Sequence, residues 1–163
     1  MKPLETILVS MEIDVNNPIV RLCSDAIKAE SEGRSTDALG LCMKAWEART
    51  DAYDSCIVSH YMARYQDNVE GTFLWNQRAL DFGEAVKDER VSGFFPSLYL
   101  NLGKSHEDMG DLTKASNYYN LALNTLNLVA DGPYKGILAK GILTAIERTE
   151  KTPHSQSISG GQG

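Results

Sequence analysis

Apolar residues recur at three- and four-residue steps along most of the chain, and between Pro96 and Asn127 that pattern is cleanest. There Leu98, Tyr99 and Leu102 form one stripe, the pattern stops at Gly110, and Ala115, Tyr118, Tyr119, Ala122 and Leu126 resume it. This spacing predicts two amphipathic helices joined by a tight turn. Gly110 tolerates the left-handed backbone that ends the first helix, and Asp111 can accept an orphan backbone N–H at the start of the second. Neither helix buries its apolar face alone, so neighbours are required.

The same reading supplies those neighbours. From Pro18, the residues Leu22, Cys23, Ala26 and Ile27 make a narrow stripe that stops at Gly33, and a helix from about Ser35 to Arg49 then buries Ala38, Leu41, Cys42, Ala45 and Trp46. A second hairpin follows, with one helix from about Ala52 to Gln66, a turn at Asp67 and Asn68, and another helix from Val69 to about Val86. Gly93, Phe94, Phe95 and Pro96 predict an early helical turn and then a kink, with Pro96 in the first turn of the next helix and both phenylalanines filling a widened gap. Beyond the loop Asp131, Gly132, Pro133, the residues Ile137, Leu138, Ile142, Ala145 and Ile146 predict a last amphipathic helix ending near Arg148 or Thr149. At the other end, Leu4, Ile7, Leu8 and Met11 suggest a short helix, although its β-branched content also suits a strand.

The segment from Pro96 to Asn127 resembles the tetratricopeptide repeat (TPR). Tyr99, Leu102, Gly103, Gly110, Ala115, Tyr119 and Ala122 carry the resemblance, with departures at His106, where an aromatic is usual, and Asn127, where proline is usual. The first hairpin repeats the small residues of this pattern: Ala26 answers Gly103, Gly33 answers Gly110, Ala38 answers Ala115 and Ala45 answers Ala122. In the second hairpin Ala79 takes the place of Ala45 and Ala122, Thr72 is the small residue and His60 stands at the glycine position. Ala45 to Ala79 is 34 residues, the usual period, whereas Ala79 to Ala122 is 43, the excess falling around Asp88 to Pro96. The segments HYMARYQ, WNQRAL and PSLYLNLGKSHEDMGD also resemble a group of small stand-alone bacterial TPR proteins of unsettled function.

The resemblance implies an all-α fold: a right-handed superhelical stack of helical hairpins with a C-terminal capping helix. Its parts are an N-terminal cap over residues 1–17, a TPR-like domain over 18–149 and a flexible tail over 150–163. Within the domain the hairpins fall at about 18–50, 51–87 and 88–128, and the capping helix at about 133–149.

Composition narrows the functional classes. A chain of 163 residues with 42% hydrophobic and 23% charged content suits one globular domain. Its formal net charge of -6 argues against nucleic acid as a partner. No stretch reaches the roughly 20 apolar residues needed to span a bilayer, and the opening residues lack the pattern of a secretory leader. Cys23, Cys42 and Cys56 have no close-paired spacing and read as reduced small hydrophobes, so the expected setting is cytoplasmic, with no membrane association.

In TPR proteins the first helix of each hairpin lines a concave groove. The resemblance therefore selects Ile57, Tyr61, Arg64 and Tyr65 from the second hairpin and Ser97, Asn101 and Lys104 from the third as partner-binding residues, bordered by Ser24, Asp54, Glu107 and Asp108. Asn101 and two cations could clamp a carboxylate, as in TPR proteins that hold C-terminal carboxylates. The five-residue clamp of those proteins is not reproduced, because the first hairpin offers Cys23 and Ile27 on that face. The alternative is a solvated face carrying ordinary salt bridges.

Other chemistry has less to stand on. Cys56 and His60, four apart, offer two ligands to zinc, which is too few for a metal site. The chain has no GxGxxG, no phosphate-binding loop, no HExxH and no GxSxG, and Glu107 and Asp108 point apart on a helix. His60 reads as a packed histidine bonded to a neighbouring helix, or as a ligand contact; Asn76 and Gln77 read as inter-helix hydrogen bonders.

The sequence thus predicts a non-catalytic protein- or peptide-binding adaptor without cofactor or metal, whose ligand could be acidic or carboxylate-ended. Two other readings stand beside it: a small-molecule or catalytic pocket around His60, Arg64 and Gln66, and a homodimeric structural module.

Overall fold

The computed structural model describes residues 14–151. Among these, the regular structure is entirely helical: α1 Pro18–Ser31, α2 Ser35–Ala48, α3 Ala52–Met62, α4 Val69–Ala85, α5 Phe95–Asp108, α6 Leu112–Asn124 and α7 Pro133–Lys151, with 3-10 turns at Ala63–Tyr65, Glu89–Phe94 and Leu126–Leu128. The short N-terminal helix expected around Leu4, Ile7, Leu8 and Met11 lies outside the described residues. Most of the expected tail does so too, but Glu150 and Lys151 are helical, so α7 runs past its predicted end.

Local chemistry sets these boundaries. Asn17 caps α1, its Oδ1 accepting from the Ile19 and Val20 amides at 2.7 and 3.3 Å, with Pro18 in the first turn. Asp51, Asn68 and Asp111 cap α3, α4 and α6 in the same way. The turns of the first and third hairpins are the same motif. Gly33 and Gly110 have φ of 78° and 83°, and the amides after them, of Arg34 and Asp111, reach back to the carbonyls of Ala29 and His106, both at 2.9 Å.

The second hairpin turns differently. Lacking a glycine, α3 tightens into the 3-10 turn Ala63–Tyr65, and the Gln66 side chain donates to the Met62 carbonyl at 2.8 Å. The segment before α5 is a helical turn, as expected, in the 3-10 form: Asp88 caps it, and Pro96 lies in the first turn of α5. Phe94 is buried, whereas Phe95 is half-buried against Tyr99. Leu126, expected on α6, falls in the 3-10 turn after it.

Helices pack chiefly in consecutive pairs, α1 with α2, α3 with α4 and α5 with α6; α1 also meets α3, α4 meets α5, and α7 lies on α6 and α5. One core runs beneath α1 to α5, and smaller clusters join α6 to α7. At the α5–α6 crossing a Cβ on Gly103 would come within 2.4 Å of the buried Tyr119 ring, so only glycine allows that approach. α2 and α4 meet through Trp46 and Trp75, edge to face at 5.0 Å.

Candidate functional site

Helix α3 sits in the middle of the molecule, and its neighbours decide which residues can reach a ligand. Tyr53 through Ser59 are all buried, as are Tyr61 and Met62. Ile57 is only 1% exposed and packs in the core, so its assignment to a binding face is corrected: a helix covered on most sides has no apolar stripe to separate an inner face from an outer one. Asp54 likewise faces inward, accepting from Asn17 Nδ2 at 2.8 Å and from the Thr50 amide and hydroxyl, both at 2.9 Å. Ser24 bonds the Val20 carbonyl of its own helix.

The C-terminal end of α3 and the face of α5 opposite it enclose a cavity of ≈ 240 Å³. Tyr61, Arg64, Asn101 and Lys104 line it, with His60 and Asn76. Tyr65 and Ser97 do not. The Tyr65 hydroxyl points to Glu30, 3.4 Å away, and Ser97 Oγ lies 2.8 Å from the Tyr134 hydroxyl of α7. Both are therefore corrected as groove contacts, since the stack of neighbours engages them elsewhere. Glu107 also faces α7, where Arg148 holds it.

A second cavity, also ≈ 240 Å³, adjoins the first. Gln66, Asp67, Asn68 and Val69 line it, and both cavities share Thr72, Ser105 and Asp108. Sharing these residues, the two cavities lie side by side as a trough bordered by His60 on one side and by the turn between α3 and α4 on the other.

Each cation in the trough carries its own counterion. Arg64 Nε lies 2.6 Å from Glu30 Oε2, and Lys104 is paired with Asp108 one turn along α5. These side chains are about half exposed, so such pairs hold only ~0 to 1 kcal/mol and a ligand anion can compete for either cation.

His60 is half-buried beside Phe94, ring centroids 4.7 Å apart, with Asn101 Nδ2 3.3 Å from its Nδ1. Burial, with the nearby Arg64 charge, pushes its pKa down to about 4. With the amide donating, Nδ1 accepts and the neutral ring keeps its proton on Nε2. No carboxylate bonds this ring among the described residues; of the suggested small-molecule or catalytic pocket, His60 and Arg64 line the first cavity and Gln66 the adjoining one.

Asn76 is 5% exposed, and its Nδ2 donates to Ser105 Oγ at 2.9 Å, a contact between α4 and α5. Its Oδ1 is buried without a hydrogen-bond partner, an arrangement that typically costs ~1 to 3 kcal/mol. Gln77, grouped with it from the sequence, instead bonds Asp81 on its own exposed helix face. Thr72, Asn76 and Ser105 were not predicted as site residues. The signal was present as helical spacing: Thr72 and Asn76 are one turn apart on α4, as are Asn101 and Ser105 on α5.

Among the described residues no group of three or more His, Cys, Asp or Glu side chains could hold a metal ion, and no helix is long and apolar enough to cross a membrane. All three cysteines are free and buried, and burial pushes the Cys56 thiol up to about 12.

Compared with protein-family models, with curated proteins and with solved structures, the chain matches none.

Proposed function

We propose that this chain is a TPR-like, non-catalytic binding module that holds an extended protein or peptide segment in the trough between α3, α4 and α5. The observation that carries this reading is that the two cavities share Thr72, Ser105 and Asp108 in their walls. An open groove lined by both polar and apolar atoms suits a main chain with its side chains better than one compact metabolite. The matching glycine turns of the first and third hairpins support the repeat reading.

Within the trough, Arg64, Asn101 and Lys104 form the end that receives a carboxylate. The amide orients the ligand, while the two cations exchange their own weakly held counterions for it. Tyr61 contributes its edge of the cavity wall rather than an open aromatic face, since it is 7% exposed.

Selection from a random library of displayed C-terminal peptides tests this. The wild-type chain should enrich a sequence family whose binding weakens with salt, and the double variant Arg64→Glu, Lys104→Glu should lose it while its helical circular dichroism is unchanged. Enrichment of the same family by the folded double variant, or of none by the wild type, would overturn the reading.

A further inference from the structure

Both tryptophans of the chain lie together, away from the trough. Trp46 on α2 and Trp75 on α4 meet edge to face at 5.0 Å, and Phe82 approaches Trp46 at 6.3 Å. Each indole carries an arginine. The guanidinium carbon of Arg49 lies 3.6 Å from the Trp46 ring centroid, and that of Arg78 lies 4.6 Å from the Trp75 ring centroid. None of these residues lines either trough cavity.

Neither indole is fully buried, and apolar side chains one turn away are more open still: Met43, near Trp46 on α2, is 51% exposed, and Leu74, near Arg78 on α4, is 54% exposed. Among the described residues neither arginine makes an ion pair. Asp81, one turn from Arg78, accepts from Gln77 instead, and Glu47, two residues from Arg49, lies on another side of α2.

A guanidinium held over a ring keeps N–H groups around its edge for a carboxylate, and the stacking has already restricted its rotamers. Arg49 is fixed further, donating from Nη1 to the Trp46 carbonyl. Tryptophan, methionine and arginine are also the residue types enriched at the energetic centres of protein interfaces. Charge then selects the occupant. An apolar segment would bury two cations without an anion, and a basic one would be repelled, whereas an acidic segment covers the rings and neutralises both guanidiniums.

We propose that the α2–α4 surface around Trp46 and Trp75 is a second protein-docking site, and that its partner is an internal acidic segment of another protein. An apolar side chain of that segment covers the paired indoles, and a carboxylate on each side of it takes Arg49 and Arg78. This site does not rest on the trough reading.

Displayed random segments of about 16 residues, fused at both ends so that no free carboxyl terminus is present, test it. The bait is the full chain carrying Arg64→Glu and Lys104→Glu, which removes the cations of the trough. Selection should enrich segments with aspartate or glutamate on both sides of an apolar residue. An amidated peptide of that family should change the tryptophan emission, which reports this surface alone because the chain has no other tryptophan. Its affinity should fall about tenfold when Arg49→Gln and Arg78→Gln are added with the helical circular dichroism retained. Replacing the peptide's carboxylates by amides should weaken binding to the unaltered bait in the same way, a comparison that needs no further variant. Enrichment of no family, of a family without acidic residues, or of one whose amide form binds equally well would overturn the inference. Self-association lost on Arg49→Gln and Arg78→Gln, with no acidic family enriched, would assign the surface to a second copy of the chain and overturn it too. The trough reading is tested separately, by peptides with free C-terminal carboxylates.

Discussion

Arg148, near the end of α7, donates to both carboxylate oxygens of Glu107 on α5, Nε to Oε1 at 2.5 Å and Nη2 to Oε2 at 2.7 Å. The Tyr119 hydroxyl of α6 donates to the same carboxylate, so one acidic side chain joins the last three helices. Arg148 foremost, then Tyr119, hold its pKa down to about 2 against the opposing effect of burial. Since the folded state favours the ionised form, this contribution is fully present above the ordinary carboxylate value near 4.5 and is lost as pH falls towards about 2. Glu107→Gln should cost about 1 to 2 kcal/mol at neutral pH and flatten that acid limb in urea melts. A variant as stable as wild type at neutral pH would show that α7 is held by its apolar contacts alone.

Gly103 and Tyr119 set the tightest approach between α5 and α6. Gly103→Ala places a methyl carbon inside the ring's contact distance, and the ring is fully buried and bonded at its hydroxyl. Better helix propensity offsets only up to about 1 kcal/mol, so overpacking should dominate with a net loss of about 1 to 3 kcal/mol. Gly136→Ala, where nothing lies within 4 Å of the added carbon, is the control and should be neutral or stabilising. Equal effects in the two variants would remove close packing as the reason for Gly103.

The first and third hairpins were legible because local signals define them. Gly33 and Gly110 end their helices, Asp111 caps α6, and Ala38, Ala45, Ala115 and Ala122 are all completely buried. Such features depend on a residue and its immediate neighbours. The binding face was less legible because it depends on which sides of α3 are covered. Arg64, Asn101 and Lys104 line the trough, but Ile57 belongs to the core, and α3 has no apolar stripe that would have marked Ile57 as an inward residue. Asn76 and Ser105 acquire their meaning only from each other, across two helices.

Lys104 tests how far the trough is separable from stability. Its ion pair with Asp108 is exposed and lies within one helix, so Lys104→Ala should change stability by less than about 0.5 kcal/mol. Ala115→Trp, at a fully buried helix crossing, should be far more damaging, beyond the ~1 to 3 kcal/mol of ordinary overpacking. Similar melting temperatures for the two would place Ala115 outside the core.

His60 carries the last prediction, because its pH dependence occupies a window distinct from that of Glu107. In the unfolded chain the imidazole titrates near its ordinary value of 6.5; in the folded chain burial and Arg64 hold it neutral until about 4. Here the unfolded state binds the proton more readily, so stability from the neutral ring is complete above 6.5 and declines as pH falls towards 4. Imidazole carbon resonances in the native protein should therefore remain those of the neutral ring at pH 5.5. His60→Gln should remove part of the stability slope between 6.5 and 4 while leaving the Glu107 limb below 4.5. Asn101→Ala would then separate pairing from burial: if the resonances still titrate near 4, burial beside Phe94 and Arg64 sets the ring's state. A native midpoint near 6.5 would instead give the trough a cationic imidazole at mildly acidic pH and refute the neutral histidine at its head.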